Sequence, residues 1–533
     1  MINPENNTSL SSYPPTEAVV PELEKSQSGA GSLTARTFQG LKWSYLDTGI
    51  NAVLQIGYTA VMARLLTPAD FGLVAMANVV LRFGSYFAQM GMGSALVQKK
   101  DLSQEEIRAG FTSNVFLSVL MFTIIWLAAP LSTYIFNNEA VVPVVRWLAL
   151  SFIFTGLSTT AVSLLRRSLD FRAIAIIHII SFIIGYAGFG ILMALNDFGV
   201  YSLVGAALSQ GAILAFLAYL FSRHNLFFIF RWKYFKNLYS FGTRVTVISF
   251  MEFLNSNLDT MAIGRFLGEI ALGFYNRAFM LVNLPMYYLV TSISRVLMPS
   301  YSKLQDDLPR LKRTFLSSLL IVGSILIPVC WGLSVASRET VLLILGNNWV
   351  ESIPILQVLA IAIPFYFLSH LAAILLEATA RLTAKIIIQF FTISLLIVLF
   401  IFFNKFGVLG FAISIGLVKI IEFFIYIIVI MKYLNIKFNE IISRLNSIFL
   451  SGFIVSLLIY LSGFLLRRSE FLVWQIFLSE VIIAGLILLF LITRSQLYLD
   501  FRKEIREIYL KTNTNLIKYP LISKLLRKFT ITN

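Results

Sequence analysis

From residue 39 to residue 493 the chain reads as one apolar stretch after another, each bounded by Lys or Arg, by Gly or Pro, or by Asn and Asp. About twenty helical residues at 1.5 Å per residue cross the ~30 Å of bilayer hydrocarbon, so windows of this length predict transmembrane helices. Fourteen such windows fit, the first at 40–62 and the last at 471–493. Strand-like alternation punctuated by turns about every ten residues, the mark of an outer-membrane barrel, is missing. The expectation is an all-α integral membrane protein. Residues 1–35 carry no apolar run and are rich in Ser, Pro, Glu and Asn, the composition of a disordered tail. No basic stretch leads directly into a short apolar core, so a cleaved signal peptide is not predicted.

Polar residues interrupt certain spans at helical spacing. The first span carries Ser44, Asp47, Asn51, Gln55 and Tyr58, and the second carries Asn78, Arg82, Ser85 and Gln89. The seventh carries Glu252, Asn255, Ser256 and Asp259, and the eighth Asn276, Asn283, Tyr287, Thr291 and Arg295. A polar face turned to lipid costs several kcal/mol, so each stripe must meet protein or water, and a hydrated cavity lined by these four helices is expected. Arg82 lies near the middle of its span, too deep to snorkel easily; it faces a ligand, or else pairs with Glu252 or Asp259. Arg244, Arg277 and Arg295 sit nearer helix ends, where anchoring at the interface competes with ligand contact. Asp47, Glu252 and Asp259 are candidates for a coupling proton or cation. Lys419 and Glu422, three residues apart, suit a local ion pair, and His178 suits packing.

Composition then narrows the possibilities. Lys and Arg number 43 against 27 Asp and Glu, a formal charge of +16. With the amino terminus inside, 31 of the basic residues fall on inner segments, nine of these in the tail from Arg494 to Lys528; six fall on outer loops and six within spans. That asymmetry is the positive-inside signal of a cytoplasmic amino terminus, and the even number of spans returns the carboxy terminus to the same side. The excess is thus a topology signal, with the tail a contact for anionic lipid heads, and no nucleic-acid partner is expected. Three histidines and the single Cys330 leave too few soft ligands for a conventional zinc or iron-sulfur site. No nucleotide-binding fingerprint is found and the outer loops are short, so no cofactor, no covalent catalysis and no direct use of ATP are predicted.

The chain also repeats itself. MARLLTPADFGLVAMA (Met62–Ala77) aligns without a gap on IGRFLGEIALGFYNRA (Ile263–Ala278) at an offset of 201, placing Arg64 on Arg265 and Gly72 on Gly273. Ile135–Phe154 echoes Ile344–Phe365, and Asn196–Gly205 echoes Asn404–Ile413, in the same order. Two pseudo-symmetric six-helix lobes are expected, 36–237 and 238–432, related by an axis along the membrane normal. Two further helices (433–494) and a basic cytoplasmic tail (495–533) follow.

The runs ARLLTPADFGLVAMA, GMGSALVQKKDLS and NLDTMAIGRFLGEIALGFYNRA with a downstream Leu-Pro resemble the polysaccharide-exporter branch of the multidrug/oligosaccharidyl-lipid/polysaccharide (MOP) superfamily, in particular its O-antigen and colanic-acid translocases. The resemblance covers about residues 36–490. It implies a MATE-like flippase fold in a bacterial inner membrane. It also implies alternating-access transfer of a polyprenyl-diphosphate-linked oligosaccharide from the cytoplasmic to the periplasmic leaflet, alongside membrane lipids and a polysaccharide polymerase machinery. Arg82, Arg244, Arg277 and Arg295 are the candidates to compensate the diphosphate, with Asn51, Gln55, Asn78, Gln89, Asn255 and Asn283 as polar lining. Glu252 and Asp259 keep open an alternative, a proton- or sodium-coupled exporter of small cations on the same fold. A membrane polymerase or ligase would need a long external loop, which this chain lacks. Reporter fusions after Asn137, Asp197 and Gly346 are expected to read as periplasmic; a cytoplasmic signal at any of the three breaks the proposed topology.

Overall fold

The computed structural model describes residues 30–89, 102–229, 246–469 and 471–494, together with residues 93, 96, 97, 99, 498, 501 and 502. Every regular element among them is helical. The first part of the chain forms α1 (Ala30–Leu65), α2 (Pro68–Gln89), α3 (Gln104–Ala128), α4 (Leu131–Phe136), α5 (Val141–Ala149) and α6 (Ser151–Arg167). It continues through α7 (Phe171–Phe182), a π-helical stretch (Ile183–Gly190), α8 (Ile191–Leu195) and α9 (Val200–Ser222). The second part forms α10 (Thr246–Lys303), α11 (Leu308–Val335), α12 (Ser337–Ile344), α13 (Ser352–Ala378), α14 (Leu382–Phe403) and α15 (Gly407–Leu434), and α16 (Phe438–Arg468) and α17 (Val473–Arg494) complete it. Helix α1 already runs from Ala30, ahead of the boundary expected at residue 36.

The ends of these helices follow from local chemistry. Ser103 and Glu106 form a reciprocal capping box at the start of α3, each side chain accepting from the other's backbone N–H at 3.2 Å. The Asp70 carboxylate takes the Thr67 N–H at 2.9 Å while Pro68 opens α2, and Asp170 and Asp307 cap α7 and α11. Where the repeat turns a second time, two helices join at a kink. α10 passes from the seventh expected span into the eighth through Gly268, whose φ of 82° and ψ of −176° interrupt an otherwise helical run.

Nine segments among the described residues are long and apolar enough to cross a membrane. Helices α1, α2 and α10 are not among them, because they carry the polar stripes. α2 lies along α10; α13 fills the space between α10 and α15, α11 packs on α16, and α1 on α7. Small residues bring some of these axes close. Gly156 of α6 meets Ser118 and the Asn114 carbonyl of α3, and the Asn114 amide donates to the Thr160 hydroxyl at 3.0 Å, a polar pair between two membrane helices.

The two repeated turns meet each other. A Cβ on Gly72 would strike the Glu269 carbonyl, and one on Gly273 would strike the Pro68 carbonyl; under the 201 offset these two contacts exchange places. Trp349, in the short 3-10 turn Asn347–Trp349, plugs the junction: fully buried, it donates its indole N–H to the Ala63 carbonyl at 2.7 Å and meets Phe71 and Phe274 edge-on at 5.4 and 5.9 Å. Trp349→Ala removes that packing and leaves a void. It is expected to cost about 3–5 kcal/mol, read as a lowered midpoint of thermal unfolding in detergent; an unchanged midpoint would show that the junction carries no stability.

Candidate functional site

Below this junction, between α1, α2, α9 and the two arms of α10, lies a cavity of about 660 Å³ whose wall includes Gln55, Tyr58, Asn78, Arg82, Asp259 and Asn283. Its polar wall comes from successive turns of the same faces. Asn78 and Arg82 are four residues apart on α2, and Ser256, Asp259 and Thr260 share one side of the first arm of α10. The second arm contributes Asn276, Arg277, Asn283 and Tyr287. Backbone carbonyls in the helices are already bonded, so the side chains set the polarity of the space.

The charges are arranged unequally. Arg82 projects into the cavity as an exposed side chain and has no carboxylate partner among the described residues. The Arg277 guanidinium stacks over the Phe71 ring at 4.5 Å and donates to the Asn276 side-chain oxygen at 2.6 Å, while its Nε is buried without a partner. Counting helical rise from Gly72 and Gly273, the two arginines lie about 15 Å and about 6 Å below the junction, two cationic stations at different depths. Asp259, by contrast, is occupied: Oδ2 accepts from the Tyr275 hydroxyl at 2.5 Å and Oδ1 from the Thr260 N–H at 2.7 Å.

The remaining expected site residues are placed elsewhere or only in part. Asp47 accepts from the Asn51 amide at 2.6 Å and contacts His178 Nδ1 at 3.0 Å, so this end of the α1 stripe faces α7 and does not line the cavity. His178 thus holds a polar partner within the helix packing. Asn255 is half-buried and Arg295 exposed near the end of α10, both off the cavity wall. Gln89 and Glu252 are helical, but their side chains lie outside the described residues, as does Arg244 altogether. Lys419 and Glu422 form the local pair expected from their spacing, at 3.0 Å, with the ammonium 4.9 Å from the Tyr366 ring centre.

Tyr186, Asn257, Thr260 and Tyr275 also line the cavity and were not singled out by sequence. Tyr186 owes its place to the π-helical stretch, whose extra residue per turn rotates the face it presents; Gly185 and Gly190 let α9 close against that stretch. The triple-glycine run IIGYAGFG was the available signal. Tyr58 and Tyr186 meet edge-on at 4.9 Å. An apolar cleft of about 420 Å³ borders the cavity on its α1 and α10 side, sharing Thr59 and Met280 with it; Pro328, Val455, Phe477 and Leu488 of α11, α16 and α17 form its far wall.

The arrangement is that of a polar, cationic chamber inside a bundle of membrane helices, with an apolar side cleft. Among the described residues no cluster of three or more metal-ligating side chains occurs. A family model described as polysaccharide biosynthesis protein matches residues 61–354. The chain is 28% identical over 428 residues to the lipopolysaccharide biosynthesis protein WzxC of Escherichia coli strain K12, covering 78% of this chain and 85% of that protein. It is 26% identical over 332 residues to the teichuronic acid biosynthesis protein TuaB of Bacillus subtilis strain 168, covering 62% and 68%. In three dimensions it resembles the lipid II flippase MurJ in an inward closed conformation, with a TM-score of 0.68 at 17% identity over 86% of this chain and 99% of that one. An inward-facing multidrug MATE transporter of the MOP superfamily superposes with a TM-score of 0.51 at 14% identity, covering 74% and 94%. The bundle shares its fold with these two structures, and the matched model spans more than half of the sequence: the chain belongs to the polysaccharide biosynthesis protein family.

Proposed function

We propose that this protein is a flippase that moves a polyprenyl-diphosphate-linked oligosaccharide from the cytoplasmic to the periplasmic leaflet of a bacterial inner membrane, and is a transporter rather than an enzyme. The observation that carries the reading is the pair of arginines, Arg82 and Arg277, presented at two depths to a polar chamber inside the bilayer. A diphosphate cannot cross hydrocarbon without compensation, because removing its charge from water costs far more than the apolar tail can offset. Guanidinium groups supply that compensation with charge-assisted hydrogen bonds matched to phosphate oxygens. Asn78 and Asn283 and the Tyr287 hydroxyl suit the sugar hydroxyls, and the apolar cleft beside α16 and α17 suits the polyprenyl chain.

The architecture that goes with this reading has fourteen traverses. One of the nine strongly apolar segments, Leu382–Leu434, holds both α14 and α15, and α1, α2 and the two arms of α10 supply the other four. Lobes 36–237 and 238–432 would enclose the chamber, with 433–494 packed outside them and both termini cytoplasmic, the side favoured by the basic residues. Rocking of the lobes exposes the chamber to one leaflet and then the other. A downstream polymerase that consumes the flipped repeat unit would make transfer directional.

A small-cation exporter would need an acid open to the chamber. Of the two coupling candidates whose side chains are described, Asp259 is engaged by Tyr275 and Thr260 and Asp47 by Asn51 and His178, whereas Arg82 has no carboxylate partner among the described residues. Leaflet transfer of a fluorescent polyprenyl-diphosphate oligosaccharide in reconstituted vesicles tests the assignment. Arg82→Ala and Arg277→Ala are each expected to slow transfer about 10- to 100-fold, the loss of one charge-assisted contact of about 1.5–3 kcal/mol. Transfer at the parent rate in both variants, at equal reconstitution, removes the arginines from the site.

A further inference from the structure

The reciprocal contact between the repeated turns extends to their arginines. Arg64, at the end of α1, sends Nη1 to the Ile344 carbonyl at 2.7 Å and Nη2 to the Leu343 carbonyl at 2.5 Å, in the last turn of α12. Arg265, its mate at the 201 offset, donates from Nη1 to the Tyr134 carbonyl in α4. Tyr134 and Leu343 stand immediately ahead of the second echo, whose opening residues Ile135 and Ile344 are 209 apart. Each half therefore lends an arginine to the small helix of the other half.

The acceptors are ready-made. A short helix ends with carbonyls that have no helical partner and with the negative end of its dipole, which favours a cation. Both small helices end at a residue of positive φ, Asn137 at 52° and Gly346 at 100°, so neither continues along its axis over those carbonyls. Between the two arginine contacts lie the crossed glycine contacts, Gly72 on Glu269 and Gly273 on Pro68, and the Asn138 amide adds a bond to the Glu269 carboxylate at 2.7 Å. Phe71, next to Gly72, is both part of the cavity wall and a neighbour of Trp349, so this assembly forms one end wall of the chamber.

We propose that Arg64 and Arg265 are paired positioning residues that hold the outer mouth of the chamber shut, and that opening to the periplasmic side requires both to leave the opposite half's carbonyls. The side assignment rests on the flippase topology proposed above. Like the two equal contacts of an isologous dimer, the latches release together: once one half has swung away, the geometry of the other contact is lost as well. A residue whose only role was to stabilise the fold would not bias one side of the chamber over the other.

The test is side-specific labelling of Val74→Cys, a cavity-wall position on α2, with a membrane-impermeant maleimide; the native Cys330 is fully buried and gives the background. In right-side-out vesicles, Arg64→Ala with Arg265→Ala is expected to raise external labelling about tenfold or more, a shift of population toward the outward-open state, while labelling in inverted vesicles falls. Arg64→Lys with Arg265→Lys, which keeps the charge but loses the forked donor, should lie between. If the rise occurs only in inverted vesicles, the latch stands and the topology behind the proposed function fails. Unchanged labelling from both sides, in variants that reconstitute normally, overturns the latch and leaves the leaflet-transfer reading to its own test.

Discussion

Charge in hydrocarbon has to be surrounded by protein or by water, and the helices carrying Arg82, Arg277 and Asp259 are arranged around that requirement. α2 and the two arms of α10 turn their polar faces toward one another and leave their apolar sides to α3, α5, α13 and α15. The cost of a lipid-facing amide or guanidinium is several kcal/mol per group. The interior polar face therefore requires these helices to turn it toward protein or water. The long apolar helices then have little choice but to fill the outside, which is why α14, α16 and α17 expose so much Phe, Leu and Ile.

How far the sequence could be read follows from the same physics. Helix positions were legible because a twenty-residue apolar window has one stable solution in a bilayer. On α2 and α10 part of each expected polar face lines the cavity, Asn78 and Arg82 on the one and Ser256, Asp259, Asn276, Asn283 and Tyr287 on the other, while Asn255 and Arg295 stand off its wall. What the period could not supply was the identity of the neighbour. The α1 stripe keeps one face from Asp47 to Tyr58, yet that face meets His178 at its start and reaches the chamber only at Gln55 and Tyr58. A stripe is satisfied by a hydrogen-bonding helix as well as by water, and periodicity does not distinguish them. Tyr186 is not legible from periodicity for a different reason: a π-helical stretch departs from the 3.6-residue period that defines a helical face.

The internal repeat carries more information than the helix count. Residues related by 201 positions were expected to occupy equivalent places in two halves. In the structure two of these pairs do something more specific, since Gly72 and Gly273 contact each other's turns and Arg64 and Arg265 reach each other's small helices. Glycine is required there by proximity: a Cβ at either position would overlap a backbone carbonyl that cannot move without displacing its helix.

Away from that junction the two halves diverge, and the divergence has a physical reading. Arg82 falls on Asn283 and Arg277 falls on Met76 under the same offset, while Tyr58 falls on Asp259. The chamber is thus asymmetric where its roof is symmetric. A closure made of two equal contacts gains from symmetry, because either contact alone leaves the other half free to swing and matched contacts fail together. A chamber for the proposed lipid-linked oligosaccharide would gain nothing from symmetry, because such a ligand has no two-fold axis. The arginines at two depths, each matched by a neutral residue in the other half of the repeat, are where the chamber departs from the symmetry of its roof.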